Sequence, residues 1–221
     1  MRIRTFSAPA TLLAGALLLS ACGGDSPLEG KSGPDVAELA ADALEEAGSV
    51  HMSGSVDEDG ETTEVDLQLQ GDDAAGTITV EGTEIELISV DGDVYLKATA
   101  ELLASFGAQP EETDQFEGRW LMMSAEDAAD FEDFTLGQFV EQLRDPDGEI
   151  KDETRTDELD GDSVVIVEQE DGSTLTVKDD DPPYPLELGQ DGGEITFSEH
   201  GEEEDISAPD DVIEDSELQG S

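Results

Sequence analysis

The chain has 221 residues, with 59 aspartates and glutamates against 9 lysines and arginines, and its formal net charge is −50 at pH 7. This acidity argues against nucleic acid as a partner, because binding to phosphates depends on basic side chains. A single cysteine excludes an intrachain disulfide, so folding has to depend on the burial of apolar side chains. A chain of this length, without its leader, is typical of one domain.

The first residues predict an export signal. Arg2 and Arg4 precede an apolar run over 8–19 that is too short to span a bilayer comfortably. The run ends in Leu-Ser-Ala-Cys at 19–22, which resembles the lipobox of bacterial lipoproteins. The resemblance implies that 1–21 is a signal peptide and that Cys22 is lipidated and begins the mature chain. The alternative is an ordinary secretory signal followed by an unmodified thiol.

A flexible tether and one helix follow the leader. Residues 22–33 are small, polar and rich in glycine, which predicts a tether between the lipid and the domain. Pro34 suits the first turn of a helix, and apolar residues then recur at helical spacing as far as Ala47. Gly48 is expected to end this helix. The folded domain is therefore predicted to span 34–209.

Alternating apolar and polar residues predict strands from Val50 onward. Glycines separate the alternating runs, and Asp91-Gly92 is the dipeptide that best fits a tight hairpin turn. Consecutive strands with short turns are antiparallel, and their apolar residues share one face of the sheet. The strands of this part are expected around 65–69, 78–80, 85–87 and 94–96.

The pattern changes between 99 and 143 and then resumes. Residues 101–106 and 131–143 favour short helices, with a break near 135–137 and a strand near 119–123 between them. Further strands are expected at 150–156, 163–168, 173–178, 184–188 and 194–198, with Asp-Gly turns between several of them. A last strand is predicted at 205–209, and 210–221 is predicted to be an acidic tail.

This layout resembles the LppX/LprG-type cell-envelope lipoproteins, whose fold is similar to that of LolA and LolB. Besides the layout, the resemblance depends on the stretches 49–54, 90–96, 119–120 and 195–209. It implies an α+β fold in which a curved antiparallel half-barrel of about ten strands carries a few helices on its concave face. It further implies that the concave face holds the acyl chains of a lipid or glycolipid.

A one-sided sheet with few helices to cover it leaves an apolar groove. We expect the inward residues of the first strands and the apolar residues of the helical interval to line it. The candidates are Leu67, Leu69, Ile78, Val80, Ile85, Leu87, Val94, Leu96, Leu103, Phe106, Phe131, Phe134 and Phe139. The alternative for each is an ordinary position in a close-packed core.

The sequence contains no recognisable catalytic set. His51 and His200 are its only histidines, and no Gly-x-Ser-x-Gly motif accompanies them. The acidic segments 57–60 and 145–148 lack the ligand spacing of a calcium loop, so neither a metal nor a cofactor is predicted. We instead expect salt to stabilise this self-repelling chain, and a melting temperature that falls between low and molar salt would contradict that expectation.

The sequence therefore predicts a lipid-anchored protein on the extracytoplasmic face of a cell membrane that binds or carries lipid without chemical turnover. The alternative is a non-transporting lipoprotein of the same fold, acting as an envelope scaffold, a sensor or a partner-binding module. The identity of such a protein partner does not follow from the sequence.

Overall fold

The computed structural model describes residues 26–58, 61–80, 82–105, 113, 115–123, 128, 134–190 and 192–213. Helix α1 spans Gly33–Ala47, close to its predicted range. The Ser32 side chain accepts a hydrogen bond from the backbone N–H of Asp35, and Pro34 lies in the first turn. Gly48 ends the helix with a φ of 75°, a left-handed conformation that glycine adopts at little cost.

The described strands form one sheet of 12 strands. They are β1 (Ser49–Glu58), β2 (Glu61–Gln70), β3 (Asp73–Val80), β4 (Thr83–Val90), β5 (Asp93–Lys97), β6 (Trp120–Met122), β7 (Ile150–Leu159), β8 (Asp162–Gln169), β9 (Thr174–Lys178), β10 (Pro185–Gln190), β11 (Gly193–Ser198) and β12 (Val212–Ile213). Their order is β12-β6-β5-β4-β3-β2-β1-β11-β10-β9-β8-β7. Among these strands only β12 and β6 pair in parallel, so the predicted antiparallel sheet is confirmed apart from this edge.

The interval between β5 and β7 contains short helices. Helix α2 spans Ala100–Ser105 and helix α3 spans Leu136–Arg144. The Thr135 side chain accepts from the backbone N–H of Gln138 and thereby caps α3. The chain leaves β6 at one side of the sheet and starts β7 at the far edge, after which β11 returns to pair with β1. The pairing of β11 with β1 joins two antiparallel sets of strands into one sheet.

Two glycines lie inside strands where neighbouring backbones come close together. Gly54 and Gly76 have φ values of 150° and 147°. A Cβ atom at Gly54 would lie 2.0 Å from the backbone oxygen of Glu194, and one at Gly76 would lie 2.1 Å from that of Asp66. Neighbouring backbones therefore approach too closely at these points for any side chain.

The tether prediction is wrong from residue 26 onward. The Ser26 hydroxyl donates to the Asp179 carboxylate at 2.6 and 2.7 Å from its two oxygens, and the Leu28 N–H donates to one of them at 3.2 Å. Leu28 is 1% exposed and belongs to the main core. A single apolar residue within a polar segment therefore docks the segment on the domain. Residues 22–25 lie outside the described residues.

The last strand also differs from its prediction. Residues 205–209 form no strand, whereas Val212 and Ile213, in the segment predicted to be a tail, pair with β6. The backbone before them bonds to side chains of the sheet: Ser49 and Gln68 donate to the carbonyl of Glu202 at 2.7 and 2.9 Å. Because side chains satisfy these backbone groups, the segment crosses the sheet without pairing as a strand.

The buried apolar residues form two clusters. The main cluster combines the inward residues of the strands with α1, α3 and Leu28. The smaller cluster lies near α2 and β6 and contains Ala98, Leu103, Phe116, Leu121 and Ile213. The interior face of the sheet is thus covered by helices and loops, as a one-sided sheet requires.

Candidate functional site

A partly open cavity of about 250 Å³ lies between α3 and the strands β7 to β10. Its apolar lining comes from Ala37, Phe139, Leu143, Ile150, Val167, Leu175 and Leu188. Its polar lining residues include Asp147, Asp171 and Gln190, which are exposed and lie in connections or at a strand end. The cavity therefore has an apolar interior and a polar mouth.

The pairing of the strands explains the apolar side of the cavity. In β8 and β9 the residues Val167 and Leu175 are paired across the two strands, and Leu188 of β10 is paired with Leu175. Because residues paired across antiparallel strands project from the same face, these three side chains form a continuous apolar surface. We call this surface, Val167, Leu175 and Leu188, the apolar wall.

Helix α3 forms the opposite side. Phe139 and Leu143 are four residues apart on this helix, so they project from the same face. The Phe139 ring also contacts Phe197 of β11, with ring centroids 4.8 Å apart and planes inclined by 40°. Phe139 therefore lies between the main core and the cavity.

An arginine on α3 connects this helix to α1. The Arg144 guanidinium donates to Asp42 at 2.8 Å and to Glu45, and lies 3.6 Å from Glu141. Hydrogen bonds donated to the carboxylates of Glu45 and Asp42 raise the pKa of Arg144 above its ordinary value, so the guanidinium stays charged. These contacts are exposed and therefore fix orientation more than they stabilise the fold.

The predicted cavity residues occupy several different places. Six are buried in the main cluster, namely Leu67, Leu69, Ile78, Leu87, Val94 and Leu96, and Ile85, Phe134 and Phe139 pack against it. Leu103 belongs to the smaller cluster, and Val80 is 37% exposed at the end of β3. Cys22, Phe106 and Phe131 lie outside the described residues. Among the predicted lining residues that the structure describes, Phe139 alone lines the 250 Å³ cavity.

The predicted set omits the apolar wall. A signal for it was present, because β9 alternates, β8 contains an uninterrupted apolar run at 164–167, and Leu143 follows Phe139 at helical spacing. Alternation shows which residues point inward. It does not show where the covering helices leave space.

A second, wider cleft of about 800 Å³ lies at the other end of the strands. It is bordered by Asp72, Asp73, Asp91 and other turn residues, with Val94 among its few apolar contacts. Among the described residues, its lining consists mainly of carboxylates, turn glycines and other polar residues, so it has no continuous wall of large apolar side chains. It does not offer the dry wall that an acyl chain requires.

Neither histidine lines the cavity. His51 Nε2 lies 3.0 Å from Asp66 Oδ1, and His200 Nε2 donates to the carbonyl of Pro185 at 2.8 Å. The His200 ring stacks on Tyr184 with centroids 4.4 Å apart. Burial lowers the pKa of His200 below its ordinary value, although the bond to Pro185 partly opposes this effect. The arrangement is that of a packed, neutral imidazole.

The part of the chain that the structure describes holds no group of three or more side chains suited to bind a metal. Within the same residues, none of the helices is both long and apolar enough to cross a bilayer.

No protein-family model and no curated protein matches the chain. Among solved structures, LprF from Mycobacterium bovis is 17% identical, with a TM-score of 0.50, and the alignment covers 81% of this chain and 99% of LprF. The Mycobacterium tuberculosis lipoprotein LppX is 12% identical, with a TM-score of 0.49 and coverage of 79% and 98%. The similarity to LprF confirms, at the level of the fold, the resemblance to LppX/LprG-type lipoproteins.

Proposed function

We propose that the protein is a lipid-anchored extracytoplasmic lipoprotein that binds acyl chains of a lipid or glycolipid in the cavity between α3 and the apolar wall. Cys22 carries the anchor, and residues 1–21 are the signal that is removed. Binding of this kind needs a dry volume and a way in, with no catalytic group, metal or cofactor.

The observation that carries the proposal is the combination of an apolar interior with a polar mouth. Leu143, Leu175 and Leu188 offer hydrocarbon contacts inside, whereas Asp147 and Gln190 border the opening. An amphipathic ligand matches this distribution, because its chain loses contact with water while its head group stays solvated.

The cavity is small for a lipid-binding site. About 250 Å³ is slightly less than the roughly 300–1,000 Å³ of typical ligand pockets. A long chain therefore requires α3 to move away from the apolar wall. The nine-residue α3 is a short element whose displacement would leave the strand pairing unchanged, and such a displacement is the lid motion that uptake needs.

A scaffold or partner-binding role is the second candidate, and the main cluster favours it. Leu67, Leu69 and Leu87 are almost completely buried, so much of the interior is packed as in an ordinary core. A protein that only presented its surface to a partner would need such a packed core and no cavity.

Lipid uptake distinguishes the two roles. The full chain with Cys22→Ser, which lacks an acyl anchor of its own, is extracted with organic solvent for mass spectrometry and titrated with a fluorescent fatty acid. Leu188→Trp fills the cavity, and we expect it to abolish uptake. Thr196→Trp adds the same side chain at an exposed position of β11 and is expected to leave uptake unchanged.

Two results would contradict lipid binding. The first is repeated absence of bound lipid together with no uptake of the probe by the parent protein. The second is equal uptake by Leu188→Trp and Thr196→Trp. The anchor is tested separately, since mass spectrometry of the membrane-bound chain should show an acylated Cys22 as its first residue.

A further inference from the structure

The segment after the proposed anchor is fixed to one particular end of the sheet. Ser26 and Leu28 both bond to Asp179, and Leu28 is buried. Asp179 directly follows β9, and its N–H donates to the carbonyl of Ser163 at 2.9 Å, near the start of β8. We call this end of the sheet, where β8 starts and β9 stops, the docking end.

The cavity mouth lies at the opposite end of the same strands. Asp171 and Ser173 in the turn between β8 and β9 line the cavity, as do Gln169 at the end of β8 and Gln190 at the end of β10. From Ser163 to Gln169 the strand advances about 20 Å at roughly 3.3 Å per residue. The docking end and the mouth are therefore separated by the length of β8.

The chain between anchor and docking point is short. Three residues, Gly23, Gly24 and Asp25, separate Cys22 from Ser26. Whatever path they take, covalent geometry limits the distance between the Cα atoms of Cys22 and Ser26 to about 14 Å. If the mouth were turned onto the bilayer, Ser26 would stand about 20 Å above it, which exceeds that reach.

We propose that the docking end is the membrane-facing surface of the anchored protein and that the cavity mouth opens away from the anchoring bilayer. This inference rests on the lipidation of Cys22 given under the proposed function. It assigns a bilayer surface as the partner of the docking end, through the short link and not through charge. Asp160, Asp162 and Asp180 are exposed at this end and would repel anionic head groups.

The orientation determines where lipid can be exchanged. A mouth turned away from the anchoring bilayer can exchange lipid with a donor or acceptor on the side of the protein opposite that bilayer. It does not open directly onto the lipids that hold the protein. Exchange with the anchoring membrane itself would require undocking of Ser26 and Leu28.

The test compares two matched labels on the anchored protein. Asp171→Cys and Asp180→Cys replace exposed aspartates that each accept a hydrogen bond from a nearby backbone N–H, one at the mouth and one at the docking end. Each acylated full-length variant is placed in vesicles carrying an energy-acceptor dye on the lipid head groups, and loss of donor emission is measured. We expect a larger loss from the label at position 180 than from the label at 171.

A longer link provides the control. Insertion of about 20 Gly/Ser residues between Asp25 and Ser26 gives a root-mean-square reach of about 25 Å, which should reduce the difference between the labels. Equal loss from both labels with the natural link, or a larger loss at 171, would overturn the orientation.

A protein that is not lipidated at Cys22 would give a different result. If Cys22 carries no lipid, the variants remain in the aqueous phase on detergent partition, and both the anchor and the orientation are refuted. Lipid binding is measured on Cys22→Ser protein and is independent of either result.

Discussion

The two antiparallel sets of strands differ in how their inward faces are covered. In the first set, Leu67, Leu69 and Leu87 of β2 and β4 are almost completely buried in the main cluster. Behind β7 to β10, α1 presents mainly alanines, and Ala37 borders the cavity. We call the first set, with its buried leucines, the solid part, and the second set, which carries the 250 Å³ cavity, the hollow part. The small side chains of α1 leave space there that larger side chains would fill.

The largest expected effect tests this contrast on the strands. Leu67→Ala removes a side chain that is 0% exposed in the solid part, and we expect a loss of about 2–5 kcal/mol in the free energy of unfolding. Leu175→Ala makes the same change beside the existing cavity, where the leucine already lacks some contacts, and should cost less. Urea unfolding of both variants measures the two losses, and equal losses would contradict the contrast.

A smaller effect is expected on the helix that covers the hollow part. Ala40 is 0% exposed and does not line the cavity, whereas Ala37 does. Ala40→Leu should overpack the core and destabilise it by about 1–3 kcal/mol. Ala37→Leu should fill space at little or no cost while weakening uptake of the fluorescent fatty acid. A greater loss of stability at Ala37 than at Ala40 would refute the assignment of the void.

The smallest expected effect is a pH dependence of stability that arises from His200, at the docking end of the hollow part. Burial lowers the pKa of His200, so below the unfolded value of about 6.5 the unfolded chain binds the proton more readily than the folded chain does. The contribution of neutral His200 to stability is therefore present above that value and declines as pH falls toward the lower folded pKa. Many carboxylates titrate in parallel, so the readout is a difference between variants.

The measurement compares melting temperatures of the parent and of His200→Gln from pH 7.5 to 5. We expect the difference, parent minus variant, to decrease as the pH is lowered. A difference that stays constant, or increases, over this range would show that burial does not hold the imidazole neutral.

Local patterns predicted most of the fold. Alternation and the Asp-Gly turns at 91–92 and 160–161 set the strands and their sequential pairing, and Gly48 marked the end of α1. Pairing of β11 with β1 is not contained in any local pattern, because it joins residues far apart in the sequence. Leu28 and Val212 were also missed, since a lone apolar residue in a polar segment has no periodicity to detect.

The candidate site was less predictable than the fold. Phe139 was found because aromatic residues concentrate before β7, but the apolar wall was not. The presence of a space depends on how far α1 and α3 lie from the strands. The alanines of α1 indicate a space only when the helix is known to lie over β7 to β10. A void is a property of several elements together, whereas a sequence pattern describes one element at a time.

The free edge of the sheet at β7 has a consequence for crowded surroundings. Ten residues long, β7 is an outermost strand, and its sequence, Ile-Lys-Asp-Glu-Thr-Arg-Thr-Asp-Glu-Leu, is charged at six positions. A second copy adding its own β7 alongside would bring two acidic proteins into contact along a charged rim. The charged edge therefore disfavours edge-to-edge pairing of the sheets of two copies.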